Sequence, residues 1–180
     1  FDNTHLEGAI HARMAKPGEK LLLLNEQTIP LETDVLMIAD DAKPVAMAGI
    51  MGGEESGITL ETTELLLEAA FFAPKAIAGR ARRYSFVSDA SHRFERGVDF
   101  GGTRRAMERA TRLILDICGG EAGPVVEAKA ALPQRNPVRL RTARATPSTR
   151  AALPAETIAD LFRRLGLAFG DPHRLLFRGV

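Results

Sequence analysis

An α+β fold is predicted by three features of the sequence. Period-two alternation of apolar and polar residues occupies the first half, helical periodicity the second, and turn residues stand between the segments. Strands first and helices later is the order of an α+β chain, because a doubly wound α/β fold alternates the two. With 180 residues the chain fits one ordinary domain, or one domain and part of another. A chain of this size buries roughly two thirds of its unfolded surface.

Alternation through Ala9 to Met14, Lys20 to Leu24, Thr28 to Leu31 and Val35 to Ala39 predicts antiparallel hairpins, punctuated by Pro17-Gly18, Asn25-Glu26 and Asp40-Asp41. Pro44 to Ile50 is small and apolar and runs into a glycine turn, and Glu64 to Phe71 is nearly continuous in apolar residues. Both read as central strands. Pro74 stands where the first residue of a helix would, so a helix is predicted from about Lys75 to Arg83. From Gly101 to Cys118, Ala106, Ala110, Leu113, Ile114 and Ile117 fall on one helical face with arginines opposite, and Gly119-Gly120 supplies a left-handed end that needs no Cβ. After a loop from Ala128 to Pro137, Val138 to Arg141 reads as a short strand, Pro154 to Leu165 as a helix, and Asp171 to Val180 as one more strand.

The net charge of +1 conceals an asymmetry. Acidic residues prevail up to Glu68, whereas nine arginines from Arg80 to Arg112 crowd the middle third. Guanidinium groups suit bidentate phosphate contacts, so a polyanionic partner is one reading. The other is a solvated helix face with arginines paired to Glu95, Glu108 and Asp116. Apolar runs fall far short of the roughly 18 residues needed to span a bilayer, so no membrane role is expected. The single Cys118 makes no intramolecular disulfide, which fits a reducing cytosol. His5, His11, His92 and His173 show no metal-ligand spacing. Phe1 stands where an initiator Met would, so the sequence is read as a piece of a longer protein.

Three segments carry candidate chemistry. Gly49, Gly52, Gly53 and Gly57 are not a P-loop, since no Gly-Lys-Ser/Thr follows and Glu54-Glu55 would repel phosphate. They read either as a tight turn or as a place where backbone amides and carbonyls reach a ligand directly. Glu68 stands among Leu65-Leu66-Leu67 and Ala69-Ala70-Phe71-Phe72. Alternation puts Leu66, Glu68 and Ala70 on one face, so Glu68 either points outward or enters a cleft, where an unpaired charge costs several kcal/mol unless a partner or ligand meets it. Ser88-Asp89-Ala90-Ser91 has helix N-cap character, with Asp89 or Ser91 as the capping side chain. No Ser/His/Asp triad is evident around Ser88.

Together, Ala48 to Gly57, Leu66 to Phe72 and Ser88 to Asp99 resemble the editing region of the bacterial phenylalanyl-tRNA synthetase beta subunit. The resemblance is strong from Asp2 to Leu132 and weaker beyond. It implies a B3/B4-type editing and tRNA-binding domain over 1–132, lacking its N-terminal part, then the start of a B5-type domain over 133–180. The implied fold is a layered β/β/α sandwich of mostly antiparallel strands with helices on one side, followed by a partial small helix-turn-helix-like module. The implied activity is hydrolysis of tyrosyl-tRNA(Phe), in support of an ATP-dependent ligase.

On the matching positions, Gly52 lines the pocket, Glu68 recognises the tyrosine para-hydroxyl, and Ser88 and Ala90 lie beside the ester. Glu68 and Ser88 thereby count as catalytic, and all four as substrate-binding. Most relatives have Thr at Ser88, which keeps the hydroxyl and loses a methyl. A histidine implicated in editing stands just ahead of the Phe-Asp pair that matches Phe1-Asp2, outside this sequence. The implied partners are tRNA(Phe) and the alpha subunit of an alpha2-beta2 heterotetramer in the cytoplasm. ATP and Mg2+ serve the whole synthetase, and no cofactor or metal belongs to this region. The alternative is a tRNA-docking and structural scaffold that does not hydrolyse, or, third, a protein-interaction module.

Overall fold

The computed structural model describes residues 1–134, 138–140, 154–167 and 175–177. The chain divides into two compact units, Phe1–Pro124 and Val125–Val180.

In the first unit, β1 (His11–Met14), β4 (Leu36–Ala39), β5 (Pro44–Met47) and β6 (Met51–Gly52) form an antiparallel sheet in the order β1-β4-β5-β6. A second, two-stranded sheet pairs β2 (Lys20–Leu22) with β3 (Thr28–Pro30). The two sheets meet where Leu23 bridges Gly53 and the amide of Glu54 donates to the carbonyl of Leu22 at 2.9 Å. Alternation is visible in burial, since Leu21 and Ile29 turn inward while their neighbours Lys20 and Thr28 face out. β4 and β5 are buried almost throughout, as continuous apolar strands inside a sheet should be.

The core gathers Leu23, Val35, Met37, Val45 and Met47 from the sheets and Phe72, Ile77 and Ala81 from the segment that follows. Each of these side chains larger than alanine contributes about 1.5–3 kcal/mol when fully buried. Gly53 is required at the seam, because a Cβ there would meet the carbonyl oxygen of Val45 at 2.6 Å. The α+β class stands: two antiparallel sheets and the helical segment behind them share one core.

Two expected elements differ. The strand predicted over Glu64 to Phe71 does not form. Only a bridge between Asp2 and Leu65, and backbone hydrogen bonds joining Leu66 to Phe1 and Glu64 to Asn3, tie its first residues to the chain start. Leu65 and Leu67 are 47% and 39% exposed, so the apolar run is not a core strand. The single helix predicted over 75–83 is two, α1 (Pro74–Ile77) and α2 (Arg80–Arg83), broken at Gly79 with φ +78°. That left-handed conformation is open to glycine and ends the first helix.

α3 (Asp89–Phe94) and α4 (Thr103–Cys118) follow. The expected ion pairs are present, Arg96 with Glu95, Arg104 with Glu108 and Arg112 with Asp116. In the second unit, β7 (Val138–Leu140) pairs antiparallel with β8 (Leu175–Phe177). There α5 (Ala155–Arg164) buries Ile158 and Ala159. Arg141, His173 and the ends of the last predicted strand lie outside the described residues.

Candidate functional site

A cavity of about 600 Å³ opens in the first unit. Its floor is the β5–β6 hairpin, from Ala46 through Gly49 to Gly52. Phe1, Glu68, Ala69, Ala70 and Phe72 form one wall, Ala90 and Phe94 of α3 a second, and Val98 to Ala106 a third.

The hairpin turn is built for close approach. Gly49 has φ +65°, and a Cβ on it would come within 3.0 Å of both the Phe72 and Phe94 rings. These rings stand 5.2 Å apart, centroid to centroid, and give the cavity an aromatic base. Gly52 takes an ordinary conformation, and the nearest atom to an added Cβ would be the flexible end of Leu24, at 3.0 Å.

The extended segment through Glu68 leads from the strand-like contact at Leu65 to the buried Phe72. Water reaches the Glu68 residue through the open cavity, yet the protein gathered around its carboxyl raises its pKa above the ordinary glutamate value. Among the described residues the Glu68 carboxyl has no hydrogen-bond or ion-pair partner. A carboxylate without a protein partner on a cavity wall is an acceptor available to a ligand.

Ser88 is the N-cap of α3. Its Oγ accepts from the Ser91 amide at 3.0 Å, and the Ser91 Oγ faces the Ser88 amide at 3.1 Å, a reciprocal capping box. The one proton of the Ser88 hydroxyl is donated to the Ile50 carbonyl at 2.6 Å. The hydroxyl therefore ties α3 to the hairpin floor. Gly52, Glu68 and Ala90 are thus brought to the wall of one cavity, while Ser88 is not among its lining residues and lies behind the Ile50 turn.

Sequence reasoning did not single out Phe94, Val98, Asp99, Thr103 or Arg105 as part of this wall. Asp99 is engaged, accepting from the Gly101 amide at 3.0 Å. A visible signal did exist for Arg105: the first turn of α4 has no acidic residue and carries Arg104 and Arg105 instead, against the helix dipole. Among the described residues no group of three or more His, Cys, Asp and Glu is placed to hold a metal ion, and no helix is long and apolar enough to cross a membrane.

Residues 1–119 match the family model described as the B3/4 domain. The chain belongs to the B3/4 domain family. Its similarity to phenylalanine–tRNA ligase beta subunits covers most of its length. It is 77% identical to that of Dechloromonas aromatica over 169 residues, 94% of this chain and 21% of that protein. It is 68% identical to that of Aromatoleum aromaticum over 147 residues, 81% and 19% of the two chains. With the Chromobacterium violaceum protein the identity is 56% over 169 residues, 94% and 22% of the two chains. The chain thus spans about a fifth of the length of the curated relatives it matches. The part matched to the B3/4 domain contains every residue of the cavity wall.

Proposed function

We propose that this chain is the editing region of a phenylalanyl-tRNA synthetase beta subunit, and that its cavity hydrolyses tyrosine wrongly esterified to tRNA(Phe). The observation that carries this reading is the meeting of Gly52, Glu68 and Ala90, from three separate segments, on the wall of one open cavity. A filled site would favour the docking scaffold instead.

The aromatic base of Phe72 and Phe94 suits the tyrosyl ring, and Ala90 leaves room for it. The unpartnered Glu68 carboxylate accepts a hydrogen bond from the para-hydroxyl. Phenylalanine brings no hydroxyl and leaves that acceptor unmatched, which is how a hydrogen-bonding pocket gains selectivity from one oxygen. Glu68 acts in this reading by recognition.

The Ser88 proton is committed to the Ile50 carbonyl, so Ser88 does not serve as the nucleophile. Its part is to hold the hairpin floor and the N-terminus of α3 in register. The ester is then cleaved by water. The water oxygen bonds to the tyrosyl carbonyl carbon, the bond to the ribose oxygen breaks, and that oxygen leaves with a proton, its neighbouring ribose hydroxyl assisting. The pocket contributes proximity and orientation.

The partners on this reading are tRNA(Phe) and the synthetase alpha subunit, in the cytoplasm. ATP and Mg2+ belong to the aminoacylation centre elsewhere in the synthetase. Ala90→Trp in the whole synthetase tests the proposal. It should abolish hydrolysis of tyrosyl-tRNA with the melting temperature nearly unchanged, since it fills open space, whereas overpacking a closed core costs about 1–3 kcal/mol. Normal hydrolysis by this variant would remove the cavity from the reaction, and early melting would make Ala90 a core residue.

A further inference from the structure

Arg105 lines the cavity and is an exposed residue in the first turn of α4. A cation there opposes the positive end of the helix dipole, so helix stability does not account for it. Its neighbour Arg104 answers the same problem by pairing with Glu108, four residues on. Arg105 has no carboxylate partner among the described residues, and the nearby Asp99 carboxylate is held by the Gly101 amide. Among the described residues Arg105 is also the one basic side chain lining the cavity. Its side chain is exposed to solvent at the cavity wall.

We propose that Arg105 binds the phosphate on the 5′ side of the terminal ribose whose ester is cleaved, an inference that rests on the hydrolytic reading of this cavity. The chemistry of the substrate leaves few other partners for a guanidinium. The tyrosyl α-amino group is itself a cation and is repelled, and the tyrosyl ring belongs with Phe72 and Phe94. Glu68 takes the para-hydroxyl. The nearest anion to the ester is the phosphodiester of the same nucleotide. A planar guanidinium engages two phosphate oxygens at once, fixing orientation as well as position. An exposed rim residue suits this role, because the phosphate stays outside while the aminoacyl group enters.

The test compares two small substrates that differ by one group, 3′-tyrosyl-adenosine and its 5′-phosphorylated counterpart, in the whole synthetase. The wild type should hydrolyse the phosphorylated ester with a kcat/KM higher on the order of tenfold, expressed in KM. Arg105→Ala should lose that preference, and Arg105→Lys should keep part of it. No preference in the wild type, or a preference that survives in Arg105→Ala, would overturn the assignment. Hydrolysis of neither ester by the wild type would overturn the hydrolytic reading itself and this inference with it.

Discussion

Two apolar stretches of this chain look alike in sequence and behave differently in the fold. Leu36 to Met47 contributes β4 and β5, where Met37 and Met47 are fully buried and hydrogen-bonded on both sides within the sheet. Leu65 to Phe72 is at least as apolar, yet it leaves Leu65 and Leu67 exposed, pairs through its first residues only, and lines an open cavity with Glu68, Ala69 and Ala70. Apolar continuity therefore marks either a filled interior or the wall of a space kept for a ligand. What separates the two is how the carboxylate is met: Asp40, between β4 and β5, accepts from the Glu7, Ala42 and Lys43 amides, whereas Glu68 has no hydrogen-bond partner among the described residues.

The contrast is measurable. Met37→Ala should cost about 2–5 kcal/mol in denaturant unfolding, since it empties a site closed on every side. A smaller loss is expected where Asp2 anchors the start of the chain beside the cavity. Its carboxyl accepts from the Thr4 amide and from the Thr4 and Thr62 hydroxyls, which hold its pKa down at about 2. A depressed carboxylate pKa adds stability that is present above the unfolded value of 3.8 and is lost as pH falls toward 2. Asp2→Asn should lower stability at neutral pH and flatten part of that acid branch. Glu19, Asp34, Asp40 and Asp41, also held low, keep the rest. Leu67→Ala should change stability least, by about 0.5 kcal/mol or less, as for other surface positions. A large loss at Leu67 would mean that the cavity wall is core after all.

Much of this was legible from local chemistry. β1 to β4 announced themselves by alternation between turn residues and β5 by its small apolar run, while the start of α3 was legible as a cap whose accepting side chain is Ser88 rather than the expected Asp89 or Ser91. α4 announced itself by its stripe and its glycine stop. Periodicity did not reveal that Glu64 to Phe71 would pair through its first residues only, because pairing depends on a neighbouring strand edge that composition does not describe. The break at Gly79 was visible as a residue and invisible as a conformation. At the site, Gly52, Glu68 and Ala90 were identifiable because a family resemblance joined three distant segments. The Ser88 hydroxyl has two backbone partners, Ser91 nearby in sequence and Ile50 far from it, and the second is a contact no local pattern predicts. Arg105 was hidden among nine arginines whose neighbours are mostly ion-paired.

Hydrolysis of tyrosyl-tRNA(Phe) and phenylalanyl-tRNA(Phe), by the whole synthetase and by its Glu68→Ala variant, tests the central claim most directly. Loss of the acceptor should cost tyrosyl-tRNA hydrolysis about 1–3 kcal/mol in kcat/KM, leave phenylalanine activation unchanged, and draw the two hydrolysis rates together. Tyrosyl-tRNA hydrolysis by Glu68→Ala at the wild-type rate, with the preference over phenylalanyl-tRNA intact, would contradict it.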